Sequence, residues 1–305
     1  MITLNQSNRK FERLGVMVDM ARNAAMTTDS LKQLADMLSA MDYNEFYLYT
    51  EDLLEVDDEP YFGYMRGRYT KAEMRELDEY FASRNITVVP CIQTLAHLAR
   101  IKRYADYGDH FDIDDILLAD DERVYLLIER VFKTLAENFS SRRVHIGMDE
   151  AIRLGRGEYQ TKHGVVPRME IYVKHLKKVL AIADKYGFKC EIWADMFLEH
   201  SFGADWGIET GEMKSDVIGL LPQNVRLINW NYGDQAKELF VNHLKALKQL
   251  TSDIGFAGGV PKFGFAPDND YGKRNVNHSM PACIEEGVTS YLLTAWGSLW
   301  LSRRL

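Results

Sequence analysis

Two adjacent carboxylates, Asp149 and Glu150, directly follow the run RVHIGM at 143–148. An Asp-Glu pair alone is common on surfaces. Here it ends a β-rich apolar run, where water is scarce and two unpaired carboxylates would be costly. Acid–base catalysis is one reason for such a pair, and ion pairing to an arginine is the other. Similar runs end in residues of related type. Asp19 and Arg22 come at the end of GVMVDM, Glu51 and Asp52 after EFYLY, and Gln93, Thr94 and His97 after TVVPCI. Trp193 and Asp195 mark the end of KCEIWA, Trp230, Asn231 and Tyr232 that of VRLINW, and Trp296 that of SYLLTAW. Three of the five tryptophans thus stand at run ends, among carboxylates, one arginine and one histidine. Aromatic rings that pack on the apolar face of a pyranose, with carboxylates for its hydroxyls and for proton transfer, are what a sugar pocket requires. Tryptophans that simply cap a core are the bland alternative.

The elements that must carry these residues can be read from the same sequence. Eight short runs, at 15–20, 45–49, 87–92, 143–148, 189–194, 225–230, 254–259 and 290–296, are apolar on both faces, as strands buried on both sides should be. Helical spacing fills the gaps at 29–41, with Asp29 as a capping candidate, and at 71–84, 121–138, 168–186 and 234–250. Shorter helices are expected around 211–219 and 279–286. Strands recur about every 30 to 56 residues, at or above the ~30 of a βαβ unit. Eight such units in 305 residues predict a closed (β/α)8 TIM barrel. A doubly wound open sheet would want a phosphate loop, and neither G-x-G-x-x-G nor G-x-x-x-x-G-K-[ST] occurs in strand-to-helix context. The acidic stretch EDLLEVDDEP at 51–60 reads as a long, largely solvated loop after the second strand. In a barrel of this kind the active site lies at the C-terminal ends of the strands, where the residues above converge.

Composition narrows the function classes. Lys and Arg number 37 against 45 Asp and Glu, for a net charge of −8, which argues against a nucleic-acid partner. No run of about eighteen apolar residues exists, so no membrane span is expected. The N-terminus lacks the apolar core of a secretory signal. The three cysteines, Cys91, Cys190 and Cys283, are widely spaced and read as reduced, buried thiols of a cytoplasmic protein. The eight histidines are scattered, with no H-E-x-x-H, so neither metal nor cofactor is expected.

The segment RVHIGMDEA resembles the H-x-G-x-D-E motif of family-20 glycoside hydrolases, the β-N-acetylhexosaminidases. The likeness extends along the chain through GVMVDMARN, LYTEDL, QTLAHL, EIWADMF, INWNY and LTAWG, in that order. EPYFGYMRGRYT at 59–70 is similar to the compact bacterial β-N-acetylglucosaminidases of streptococcal type. The resemblance implies exo-hydrolysis of a terminal β-linked N-acetylhexosamine from an oligosaccharide, by substrate-assisted retention. The substrate's own 2-acetamido oxygen attacks the anomeric carbon, so the enzyme supplies no nucleophile. By the same resemblance Glu150 is the general acid and then the base, and Asp149 orients the acetamide and stabilises positive charge on its nitrogen. Tyr232 donates to the acetamide oxygen, and Trp193, Trp230 and Trp296 wall the N-acetyl pocket. Arg22 binds sugar hydroxyls, and Asp52 and His97 sit behind the acid and tune its protonation; Asp195, at the end of the fifth run, is a further candidate for substrate binding. His145 reads as a structural strand residue.

Some positions depart from the family pattern. Ser298 stands where the family offers a carboxylate, and Pro261 and Phe263 where relatives carry tryptophan. Residues 1–305 are expected to form one catalytic barrel domain. Only nine residues follow Trp296, fewer than the ~11–12 of a typical helix. This predicts a missing or truncated last helix and an open seam between the eighth strand and the first, with apolar surface left to form a homodimer, to aggregate or to await a missing C-terminal domain. A crippled barrel that at most binds sugar is therefore the alternative to an active hydrolase. A further rival is a retaining enzyme with two carboxylates about 5–5.5 Å apart on separate strands.

Overall fold

The computed structural model describes residues 10–22, 24–203, 212–259 and 268–297. Eight parallel strands close into a barrel: β1 (Arg13–Asp19), β2 (Glu45–Tyr49), β3 (Thr87–Cys91), β6 (Arg143–His145), β7 (Lys189–Trp193), β8 (Val225–Trp230), β9 (Ile254–Gly259) and β10 (Ser290–Ala295). A small antiparallel pair, β4 (Phe111–Ile113) and β5 (Ile116–Leu117), lies in the connection after β3. The sheet seam between β10 and β1 is closed, contrary to the expected opening. Six residues of each strand pair there, from Arg13 opposite Ser290 to Val18 opposite Ala295. The Gly297 N–H also donates to Asp19 Oδ2 at 3.0 Å. Ser298 and everything after it, with Pro261 and Phe263, lie outside the described residues.

The helices are α1 (Thr28–Ala40), α2 (Lys71–Ala82), α3 (Ala99–Lys102), α4 (Glu122–Asn138), α5 (Glu158–His163), α6 (Arg168–Lys185), α7 (Asp195–Phe202), α8 (Lys237–Lys248) and α9 (Asn269–Glu285). Thr27, not Asp29, caps α1, because its hydroxyl reaches the Ser30 N–H. Thr70 and Glu73 form a full capping box on α2. The helix expected at 279–286 is the end of the longer α9. Residues 215–219 of the expected 211–219 helix form turns. Gly219 and Pro222 interrupt that stretch, and Val217 is its one fully buried anchor. Among the described residues no helix is long and apolar enough to cross a membrane.

Two apolar layers result. Outside the barrel the strands pack on the helices through a large continuous core. Inside it Met17, Tyr47, Tyr49, Val89, Cys91, Trp193, Ile228, Ala257 and Leu292 fill the lumen, with Trp230 and Trp296 above them. Large and small side chains alternate here, as in the packed interior of a (β/α)8 barrel. All three cysteines are free and buried. The insertion after β2 is not simply solvated. Arg68 donates to the Pro60 and Phe62 carbonyls, and Glu59 takes Arg130 at 2.6 Å and the Tyr107 hydroxyl at 2.7 Å. The loop is thus tied to α4 and to the β3–β4 connection.

Candidate active site

The turn after β6 carries the two carboxylates in an unusual backbone. The strand stops at His145, three residues short of the expected end, because Gly147, Met148 and Glu150 all have positive φ, at 69°, 72° and 53°. A Cβ at Gly147 would meet Gln93 Oε1 at 1.9 Å, so glycine is required there. The turn is clamped from two sides. Gln93 Oε1 accepts from Met148 N–H at 3.2 Å, and Asp195 Oδ2 accepts from Glu150 N–H at 2.8 Å. Left-handed backbone at a non-glycine residue costs of order 1–3 kcal/mol and persists where surrounding contacts hold it, commonly at active sites.

This backbone gives the two carboxylates different environments. Asp149 is buried and Glu150 exposed. Asp149 accepts from the Gln93 amide at 2.9 Å on one oxygen and meets His97 Nε2 at 3.1 Å on the other. Burial would raise its pKa, but His97, then Gln93 and Arg22, outweigh that and hold it down at about 2. Glu150 moves the other way, raised by burial and by the Asp149 charge. Such divergence of neighbouring carboxyl groups is how acid and ionised roles are divided in one site. Burial would lower the His97 pKa, and the Asp149 carboxylate raises it instead to about 9. His97, Asp149 and Glu150 offer ligand atoms within 4.8 Å of one another.

Aromatic rings gather at the same strand ends. Trp193 is fully buried and forms the floor, 4.2 Å from the His145 ring and 6.1 Å from Trp296. Trp230 and Tyr232 stack at 5.4 Å, and Tyr232 meets Trp296 edge-on at 6.5 Å. Burial raises the Tyr232 pKa, so its hydroxyl stays protonated and able to donate. The Arg22 guanidinium lies 5.2 Å from the ring centres of both Tyr49 and Trp296, between Asp19 at 3.3 Å and Glu51 at 3.5 Å. Glu51 is raised to about 7 by burial, against the pull of Arg22.

Two expected roles need correction. Asp52 does not back His97. Its partner among the described residues is Arg66, which also bonds the Ala21 carbonyl, because the β2 insertion folds Arg66 back over this strand end. The carboxylate on the far side of His97 is Asp115, 4.0 Å from Nδ1. Asp195 is buried behind Glu150 and holds its backbone. His145 faces the lumen, its Nδ1 accepting from Gly147 N–H at 3.1 Å, and burial lowers its pKa to about 4. Gln93, Asp19 and Glu51 stand at strand ends, which is the signal available for them. Asp115 lies in the β4–β5 turn, and Arg66 inside a loop that reads as solvated, so neither carries one.

The model of the catalytic domain of glycosyl hydrolase family 20 matches residues 11–246. The chain belongs to this family. The family-20 chain is 28% identical over 169 residues to a β-hexosaminidase of Akkermansia muciniphila, covering 45% of this chain and 34% of that protein. Its fold is similar to an exo-β-N-acetylglucosaminidase of Vibrio harveyi solved with N-acetylglucosamine, at a TM-score of 0.69 and 16% identity, over 94% of this chain and 50% of that one. It is also similar to a β-N-acetylhexosaminidase of Bacteroides fragilis, at 0.70 and 17%, over 94% and 61%. The chain therefore spans between about a third and two thirds of the length of these relatives.

The position of Asp195 in this family-20 site has a testable consequence. Asp195→Ala leaves the Glu150 N–H without its acceptor and frees a left-handed turn. Displacing a catalytic group by about 1 Å can cost ~10²-fold in rate. A drop in kcat of about 10- to 100-fold with KM nearly unchanged is expected, and Asp195→Asn, which keeps an oxygen acceptor, should retain most activity. Steady-state kinetics of both variants decide it. A loss carried mainly by KM would return Asp195 to sugar binding.

Proposed function

We propose that the chain is an exo-acting β-N-acetylhexosaminidase that works by substrate-assisted retention. The observation that carries this reading is the divided pair: Asp149 held ionised by His97 and Gln93, beside an exposed Glu150 whose pKa is raised. A buried carboxylate held in its ionised form suits the positive charge that develops on an acetamide nitrogen during internal attack. The accessible, protonatable neighbour suits delivery of a proton to the leaving oxygen and its later removal from water. Tyr232, with its hydroxyl kept protonated, donates to the acetamide oxygen, and Trp193, Trp230 and Trp296 wall the acetyl group. Arg22, fixed between Asp19 and Glu51 and over two rings, binds the hydroxyls of the terminal sugar. That ring of contacts supports a blind end and hence exo action. The relatives named as β-hexosaminidases support the same substrate class.

Hydrolysis of 4-nitrophenyl N-acetyl-β-glucosaminide tests the proposal. The expected result is turnover of this substrate, little or none of the 4-nitrophenyl β-glucoside that lacks the acetamide, and competitive inhibition by an N-acetylglucosamine thiazoline. Comparable turnover of both substrates, or a trapped covalent glycosyl-enzyme, would point to a two-carboxylate mechanism instead.

A further inference from the structure

We infer that the N-terminal floor of the barrel is a second binding site, for a small oxyanion of the phosphate class. At the strand starts, on the face opposite Glu150, a cavity of about 310 Å³ opens among Arg13, Arg143, Lys189 and Arg226, with Glu191 and Asp253. The chain carries a net charge of −8, yet four bases here face three acids, counting Glu45 beside Arg143.

Glu191 is already satisfied. It accepts from the Tyr47 hydroxyl at 2.7 Å and from Arg143 at 3.2 Å, and Arg143 also takes Glu45. Arg226 stands in ion-pair range of Asp253 and Glu191 but is the least completely hydrogen-bonded base of the group. It is 6% exposed, and among the described residues only its Nη2 finds an acceptor, the Ile254 carbonyl at 3.2 Å. Its Nε and Nη1 lie 3.4 Å from Asp253 and 3.9 Å from Glu191 but form no hydrogen bond there. A buried guanidinium with idle N–H donors is unfavourable unless an acceptor completes it. Its idle N–H donors can each meet an oxygen of a tetrahedral oxyanion, and Lys189 at the mouth, with Arg13 lying 3.9 Å from Glu45 and 4.0 Å from Glu191, supplies the attraction that draws such an ion in.

Calorimetric titration of inorganic phosphate into the full chain, at ionic strength fixed with chloride, tests this. Saturable binding of one phosphate per chain is expected, unaffected by saturating N-acetylglucosamine. Arg226→Met should weaken it at least tenfold, and Arg13→Met, at the more open mouth, several-fold with the folded circular dichroism spectrum retained. A parallel titration with glucosamine 6-phosphate separates the sources. Tighter binding of the ester identifies a phosphorylated sugar, and equal binding identifies the free ion. Heat that does not saturate, or affinity that both variants leave unchanged, would overturn the site.

Discussion

Glu150→Gln is expected to lower kcat on a β-linked N-acetylhexosaminide with an alkyl or sugar leaving group by about 10²–10⁴-fold, the range for losing a general acid. Glutamine keeps the shape and the exposed position but has no proton to give. KM should move little, because the sugar contacts assigned to Arg22 and the aromatic wall remain. The loss should shrink sharply for a 2,4-dinitrophenyl glycoside, whose leaving group departs without protonation. That dependence on leaving-group acidity distinguishes a missing acid from a damaged pocket. Equal losses for both substrates, or near-normal turnover of the sugar-linked one, would remove Glu150 from the role.

Asp149→Asn is expected to be nearly as severe, about 10²–10³-fold in kcat, because a buried charge aimed at developing positive charge is lost. This loss should not depend on the leaving group. The variant also changes the protein's response to pH. The folded His97 pKa, about 9, lies above its ordinary 6.5, so its stabilisation is full below 6.5 and disappears as pH rises through about 9. The folded Asp149 pKa, about 2, lies below its ordinary 3.8, so its stabilisation is full above 3.8 and disappears as pH falls through about 2. Between roughly pH 4 and 6.5 the pair contributes in full. The Asp149→Asn substitution leaves His97 buried without its carboxylate, which lowers the imidazole pKa. Thermal melts from about pH 6 to about 9.5 should therefore show a steep decline in the parent and a flatter curve in the variant. Parallel curves would mean that His97 is not ionised by Asp149.

The residues behind these predictions differ in how legible they are in the sequence. Asp149 and Glu150 are readable because a buried strand run followed directly by two carboxylates is costly without a purpose. Trp193, Trp230, Trp296, Arg22 and His97 are readable for a related reason: a parallel barrel brings all its strand ends to one face. Their order along the chain therefore maps onto one site. Asp195 is adjacent in sequence to the same strand end, but adjacency does not say which way a side chain turns. At the start of α7 it turns behind Glu150. Asp52 is misread for a different reason. Its partner is set by an insertion whose path depends on Glu59, Arg68 and Arg130, and local pattern does not encode such contacts.

By itself, then, the sequence determined the eight-stranded alternation, the chemistry available at the strand ends and the family. All three depend on short-range periodicity and on motifs in fixed order. Only the tertiary structure decided that β10 closes on β1, that Asp115 rather than Asp52 lies beyond His97, and that Asp195 clamps the Glu150 turn. It alone brought Arg13, Arg143 and Arg226 together on the floor. Each of these contacts joins residues well separated along the chain. Register, insertion path and side-chain direction set such contacts, and these settle only when the barrel closes.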